Sequence, residues 1–193
     1  MTKHRLTAAA VLSLALIAGQ AAADPATPHL TAAQVDCLWA GAPESFRQSL
    51  TGTLNEADFE HQVDSWEPTD ALLSAMADGC HIAGDADHPA GETAAFALIA
   101  RTTATWAQAR LGTAYKVAPE RLDLGWRQVA ADTRTAFAQY IRGGASGDVP
   151  SGVMGAVAKF AAALGLTDQD GVKTVSMYLY GRAMMEQLET PAS

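Results

Sequence analysis

No stretch of this 193-residue chain alternates polar and apolar residues at period two over enough positions to read as a strand. That absence argues against a sheet as the organising element. Cysteine is nearly absent as well, with Cys37 and Cys80 the only two. They form no C-x-x-C pair and belong to no C-x-x-C-H, which excludes a thioredoxin-like motif and covalent haem of the common kind. Cations are scarce: 13 Lys and Arg stand against 21 Asp and Glu, a formal net charge of −8. A nucleic-acid binder sets cationic side chains against phosphates, and adhesion to an anionic membrane surface needs the same sign. Neither class fits. The usual catalytic fingerprints are also missing. There is no G-x-S-x-G elbow, no Walker loop, no G-x-G-x-x-G after a strand and no H-E-x-x-H.

What is present begins with a three-part pattern. Lys3, His4 and Arg5 form a positive start, Leu6 to Ala18 an apolar run, and Ala21-Ala22-Ala23 a small-residue cleavage site. This reads as a secretory signal peptide over residues 1–23, with the mature chain starting at Asp24. The run is shorter than the roughly 20 residues a spanning helix needs, and no later segment approaches that length. The expectation is therefore a periplasmic or secreted protein without a transmembrane anchor. Export favours a disulfide between Cys37 and Cys80.

Residues 24–193 read as one domain, and its hydrophobic fraction of 49% over the whole chain suits a single core. The expected class is all-α, a compact bundle-like arrangement of six to eight helices with one disulfide. Leu30-Thr31-x-x-Gln34 is a capping box opening a helix over 32–42. Pro43 permits a new turn through Phe46, and Asn55 caps a helix with Phe59, Val63 and Trp66 on one face. Pro68, Thr69 and Asp70 open another, ended near Gly79. A long helix runs over 92–111. From Pro119, Leu122, Trp126, Val129, Thr133, Phe137 and Tyr140 keep one stripe to the glycines at 143, 144 and 147. Pro150 opens a short helix, and Thr167-x-x-Asp170 resembles the cap of a last one over 171–188. That last helix is apolar on most faces and so reads as central. Trp39, Trp66, Trp106 and Trp126 fall one per helix and read as core.

Charge divides the chain. Residues 24–100 hold 13 acidic residues and one basic residue, Arg47, a net of −12. Residues 101–193 hold 10 basic and 8 acidic, a net of +2. The plain reading is that arginines of the second half complement carboxylates of the first. The functional reading is an acidic surface that meets a cation, a metal or a basic partner. Two clusters could carry it. Glu56, Glu60, Asp64 and Glu67 form a carboxylate stripe at helical spacing, which wants solvent, a cation or an Arg-bearing neighbour. The stretch from Asp78 to Glu92 supplies His81, Asp85, Asp87, His88 and Glu92, and imidazole with carboxylate suits a divalent transition metal. Its spacing matches no defined metal site, and the EF-hand pattern fails both there and before Gly171. The sequence thus points to an exported, non-enzymatic binding or interaction protein that uses its acidic half, with a cationic or protein partner. The competing expectation is a metal-binding protein or metal-dependent enzyme built on 78–92.

Overall fold

The computed structural model describes residues 29–50, 54–66, 68–85, 89–142 and 149–189; within these, the side chains of Asp64, Ala138, Ile141 and Arg142 are not described. The signal-peptide segment over residues 1–23 lies outside the described residues. Among the described residues the secondary structure is helical, with no strand: α1 (Ala32–Gly41), α2 (Glu44–Ser49), α3 (Glu56–Asp64), α4 (Asp70–Gly79), α5 (Ala90–Tyr115), α6 (Pro119–Gln128), α7 (Ala131–Arg142), α8 (Ser151–Leu164) and α9 (Gln169–Glu189). None of these helices is long and apolar enough to cross a membrane.

Helix starts follow from side chains that satisfy first-turn N–H groups. The Thr31 hydroxyl accepts the Gln34 N–H at 3.2 Å, while the Gln34 side chain accepts the Thr31 N–H at 2.9 Å. Asn55 accepts from the Asp58 N–H at 2.9 Å, and Thr69 from the Leu72 N–H at 3.3 Å. The last helix is capped by Asp168, which accepts the Gly171 N–H at 2.8 Å, and not by Thr167. Two other boundaries depart from the sequence expectation. The single stripe from Leu122 to Tyr140 is two helices, because Val129 is extended (φ −67, ψ 126) between α6 and α7. No Gly or Pro marks that break, so periodicity alone carries through it. After α4 the left-handed residue is His81 (φ 56), while Gly79 is still helical. A Cβ makes that conformation unfavourable. Neighbouring bonds oppose the penalty: the His81 N–H donates to the Asp78 carbonyl at 3.1 Å, and Gln34 Nε2 donates to the His81 carbonyl at 2.9 Å.

The centre is the antiparallel pair of α5 and α9, the most extensive helix contact in the molecule. Gly181 of α9 lies directly on Ala104 of α5. A Cβ at 181 would sit 2.6 Å from the Ala104 backbone nitrogen, so only glycine permits this approach. α4 and α1 pack on α5, while α7 and α8 pack on α9 and on each other. As expected, α9 is central, with Val175, Tyr178, Leu179, Met184 and Leu188 buried. The α5 helix is equally enclosed, through Ala94, Ala97, Ala100, Ala104, Ala107, Thr102 and Thr103. α2 and α3 attach through aromatic rings. Phe59 stacks on Trp106 with centroids 4.3 Å apart, and Phe46 meets Trp66 at 4.3 Å.

Cys37 of α1 and Cys80 at the end of α4 are disulfide-bonded, with Cα atoms 5.7 Å apart. Among the described residues, ion pairs that join the acidic half to the second half include Arg101–Asp36 at 3.5 Å and Lys173–Glu56 at 3.0 Å. Arg110, Arg134 and Arg182 instead pair within the second half, with Asp170, Glu186 and Asp123. Complementation between halves is therefore partial, and a net of +2 cannot cancel −12 under any pairing.

The glycines offer a paired test of this packing. Gly181→Ala should destabilise the protein by about 1–3 kcal/mol in urea unfolding, since backbone must move to admit the methyl group. Gly155→Ala on α8, whose new Cβ meets nothing within 4 Å, should stabilise by about 0.5–1 kcal/mol through helix propensity. Equal effects would contradict the close approach. The disulfide closes a loop with a sequence separation of 43, for which chain entropy gives roughly 4 kcal/mol. Cys37→Ser, Cys80→Ser or added reductant should each lower Tm sharply. The loss should be larger at low ionic strength, where the carboxylates inside the loop repel each other with least screening. A Tm indifferent to reductant would refute this.

Candidate binding cleft

Because α3 is held to α5 by side chains, a recess remains between them. Its floor is one face of α5, where Ala95, Leu98, Ile99, Thr102 and Thr103 recur at i, i+3, i+4, i+7 and i+8. Phe46 of α2, Phe59 and Val63 of α3, Trp66 and Pro68 of the following connection, and Leu73 of α4 form the walls. The recess measures about 600 Å³ when its open mouth is counted; the enclosed part is far smaller, on the scale of a single side chain. Among the described residues no ionisable side chain lines it. Trp66, expected in the core, is half-buried here and forms part of the rim.

A polar network fixes the position of α3. The Leu54 carbonyl, just before α3, accepts from Trp106 Nε1 at 3.2 Å and from Arg110 Nη1 at 3.1 Å. Arg110 Nη2 reaches Asp170 at 2.7 Å, and Lys173 holds Glu56 in the first turn of α3. The Tyr115 hydroxyl lies 3.0 Å from both Asp168 and Asp170, so one proton is shared between two carboxylates. Burial pushes the Tyr115 phenol up, and both carboxylates add to that shift. The Gly171 N–H, and then the Tyr115 hydroxyl, hold the Asp168 carboxyl below its ordinary value. The phenol thus stays protonated and the carboxylate stays ionised at neutral pH. General acid–base work asks for groups poised near the operating pH, so this arrangement suits a structural lock. Tyr178 likewise is pushed up to about 12, chiefly by burial, and lies on Asp123 at 3.4 Å.

The residues expected to carry function are spread out. Of the carboxylate stripe, Glu56 is engaged by Lys173 and Glu60 is half-buried on α3. The Asp64 side chain and Glu67 lie outside the described part. Of the candidate metal ligands, His81 and Asp85 are exposed on the connection after α4, and Glu92 is exposed in the first turn of α5. Asp87 and His88 lie outside the described residues. Among the described residues no three His, Cys, Asp or Glu side chains converge on a point suited to a metal ion. The cleft itself escaped sequence reasoning, although Phe59, Val63 and Trp66 were legible as one face. Nothing in the sequence says that the face opposite them on α5 begins with a residue as small as Ala95. No known protein family, curated protein or solved structure matches the chain.

The lock predicts an acid-side signature. A carboxyl whose folded pKa lies below its unfolded value of 3.8 contributes stability that is fully present above that value. The contribution is lost as pH falls through the lowered folded value. Asp168→Asn keeps an acceptor for the Gly171 N–H and removes the charge. Its Tm deficit relative to wild type should be constant above about pH 5 and should shrink between pH 4 and 2. A deficit that does not change with pH would show that the Asp168 charge contributes nothing.

Proposed function

We propose that this chain is an exported, non-enzymatic binding or interaction protein whose ligand meets the acidic half at the cleft over α5. The cleft is the observation that carries the reading. A recess walled by Phe46, Phe59, Trp66 and Leu73, with a lining that is apolar among the described residues apart from Thr102 and Thr103, has the make-up of a binding pocket. It lies within the half that carries the charge surplus, where electrostatics favours approach of the opposite sign. Export rests on the pattern over residues 1–23, and the Cys37–Cys80 disulfide agrees with an oxidising compartment.

Two measurements test the reading. A neutral solvatochromic dye such as Nile red should brighten on binding. The signal should vanish in Ala95→Trp, which fills the cleft, and persist in Leu124→Ser, which alters an exposed apolar residue on α6 instead. Equal signal from Ala95→Trp would place binding elsewhere and refute the cleft. Protein recovered from the periplasm of an expressing bacterium should begin at Asp24. Retention in the cytoplasm with residues 1–23 intact would refute export.

A further inference from the structure

We infer that the cleft selects a small amphipathic organic cation: an apolar body about the size of one side chain, carrying an ammonium group that stays at the mouth. This deepens the binding reading above and rests on it. The lining decides which part enters. Apart from the buried Thr102 and Thr103, the enclosed surface is aliphatic or aromatic, and a charge placed there would lose its hydration with nothing to replace it. The surroundings decide the sign of what remains outside. Residues 44–79 supply α2, α3 and α4, which wall the cleft on every side but α5. That segment carries eight carboxylates against Arg47 alone. Arg47 is itself engaged, its Nε donating to the Ala42 carbonyl at 3.1 Å. Exposed carboxylates also flank the lining in sequence: Asp58 precedes Phe59, Asp70 follows Pro68 by two residues, and Glu92 stands one helical turn before Ala95.

The rim adds a second attraction of the same sign. Trp66 lines the recess, is half-buried, and rests on the buried ring of Phe46 at 4.3 Å. The face of an aromatic ring attracts a cation and repels an anion. An apolar anion would meet the same cavity but a repulsive field, and a neutral molecule would gain from burial alone. The three cases are therefore ordered, and the order depends on salt because the carboxylates lie at the surface.

The test uses three probes with one apolar body, 4-phenylbutylamine, 4-phenylbutan-1-ol and 4-phenylbutanoate. Each is titrated calorimetrically into the full protein with its disulfide intact. At about 10 mM salt the amine should bind roughly five-fold or more tighter than the alcohol, and the carboxylate weakest, with the gaps narrowing at about 300 mM. Asp58→Asn with Asp70→Asn should reduce the advantage of the amine and leave the alcohol unchanged, while Ala95→Trp should abolish all three. Equal affinities, or tightest binding of the carboxylate, would overturn charge selection and leave the binding cleft standing. No binding of any probe to the wild-type protein would overturn both.

Discussion

The contact of Gly181 on Ala104 is the constraint from which the rest of the architecture follows. It lets the two longest helices, α5 and α9, run antiparallel with their backbones nearly touching. Dispersion falls steeply with separation, so a contact this close gives the pair a density that larger side chains would prevent. It also fixes the register. With 181 opposite 104, Asp170 comes level with Arg110, and Asp168 with Tyr115. Arg110 and Trp106 can then share the Leu54 carbonyl, so the position of α3 is set from the central pair through two hydrogen bonds and one stacked ring. At the other end of α9 the Leu188 carbonyl accepts the Leu30 N–H at 2.6 Å, which places the start of α1.

The charge split takes on a structural meaning in this frame. Arg134 and Arg182 of the second half are used close to home, whereas Arg101 reaches Asp36 and Arg110 the Leu54 carbonyl. Arg134 both pairs with Glu186 at 2.8 Å and lies over the Trp126 ring at 5.8 Å, which ties α6, α7 and α9 together. Arg134 is thus taken up within the second half. The acidic half therefore folds against its own repulsion. Its helices are held by the disulfide, by the Gln34 bond to the His81 carbonyl, and by burial of Leu38, Leu73 and Phe59.

Much of this was legible because it is local. The capping box at Thr31 and Gln34, the caps at Asn55 and Thr69, and Pro119 in a first turn each depend on residues within one turn of the chain. The central place of α9 was legible too, because a helix apolar on most faces has nowhere else to go. The central place of α5 was not. Phe96, Ile99, Thr103 and Trp106 mark one stripe, but most of its other buried positions are Ala and Thr, which are equally at home on a surface, so its enclosure on further faces was not legible. The break at Val129, where the backbone is extended, is marked by no glycine or proline at that position. His81 occupies a left-handed position because Gln34, 47 residues earlier, holds its carbonyl. Loop residues read as metal ligands looked clustered in sequence, but distance along a connection says little about where side chains point.

The cleft illustrates the same limit from the side of function. Its floor spacing on α5 and its wall spacing on α3 are both helical periods, yet a recess is a property of the gap between two faces. The Phe59–Trp106 stack seats α3 on α5, and the Phe46–Trp66 contact seats α2 on the connection after α3. The stacked rings of Phe59 and Trp106, 4.3 Å apart, hold α3 off α5 by the thickness of an aromatic side chain, and Ala95 on the floor of the recess is a short side chain. The Phe59–Trp106 stack could not close further without ring overlap. The recess is thus built by the same side chains that attach α3 to the central pair. A change that widens or fills it should act on ligand binding and on the anchoring of α3 together.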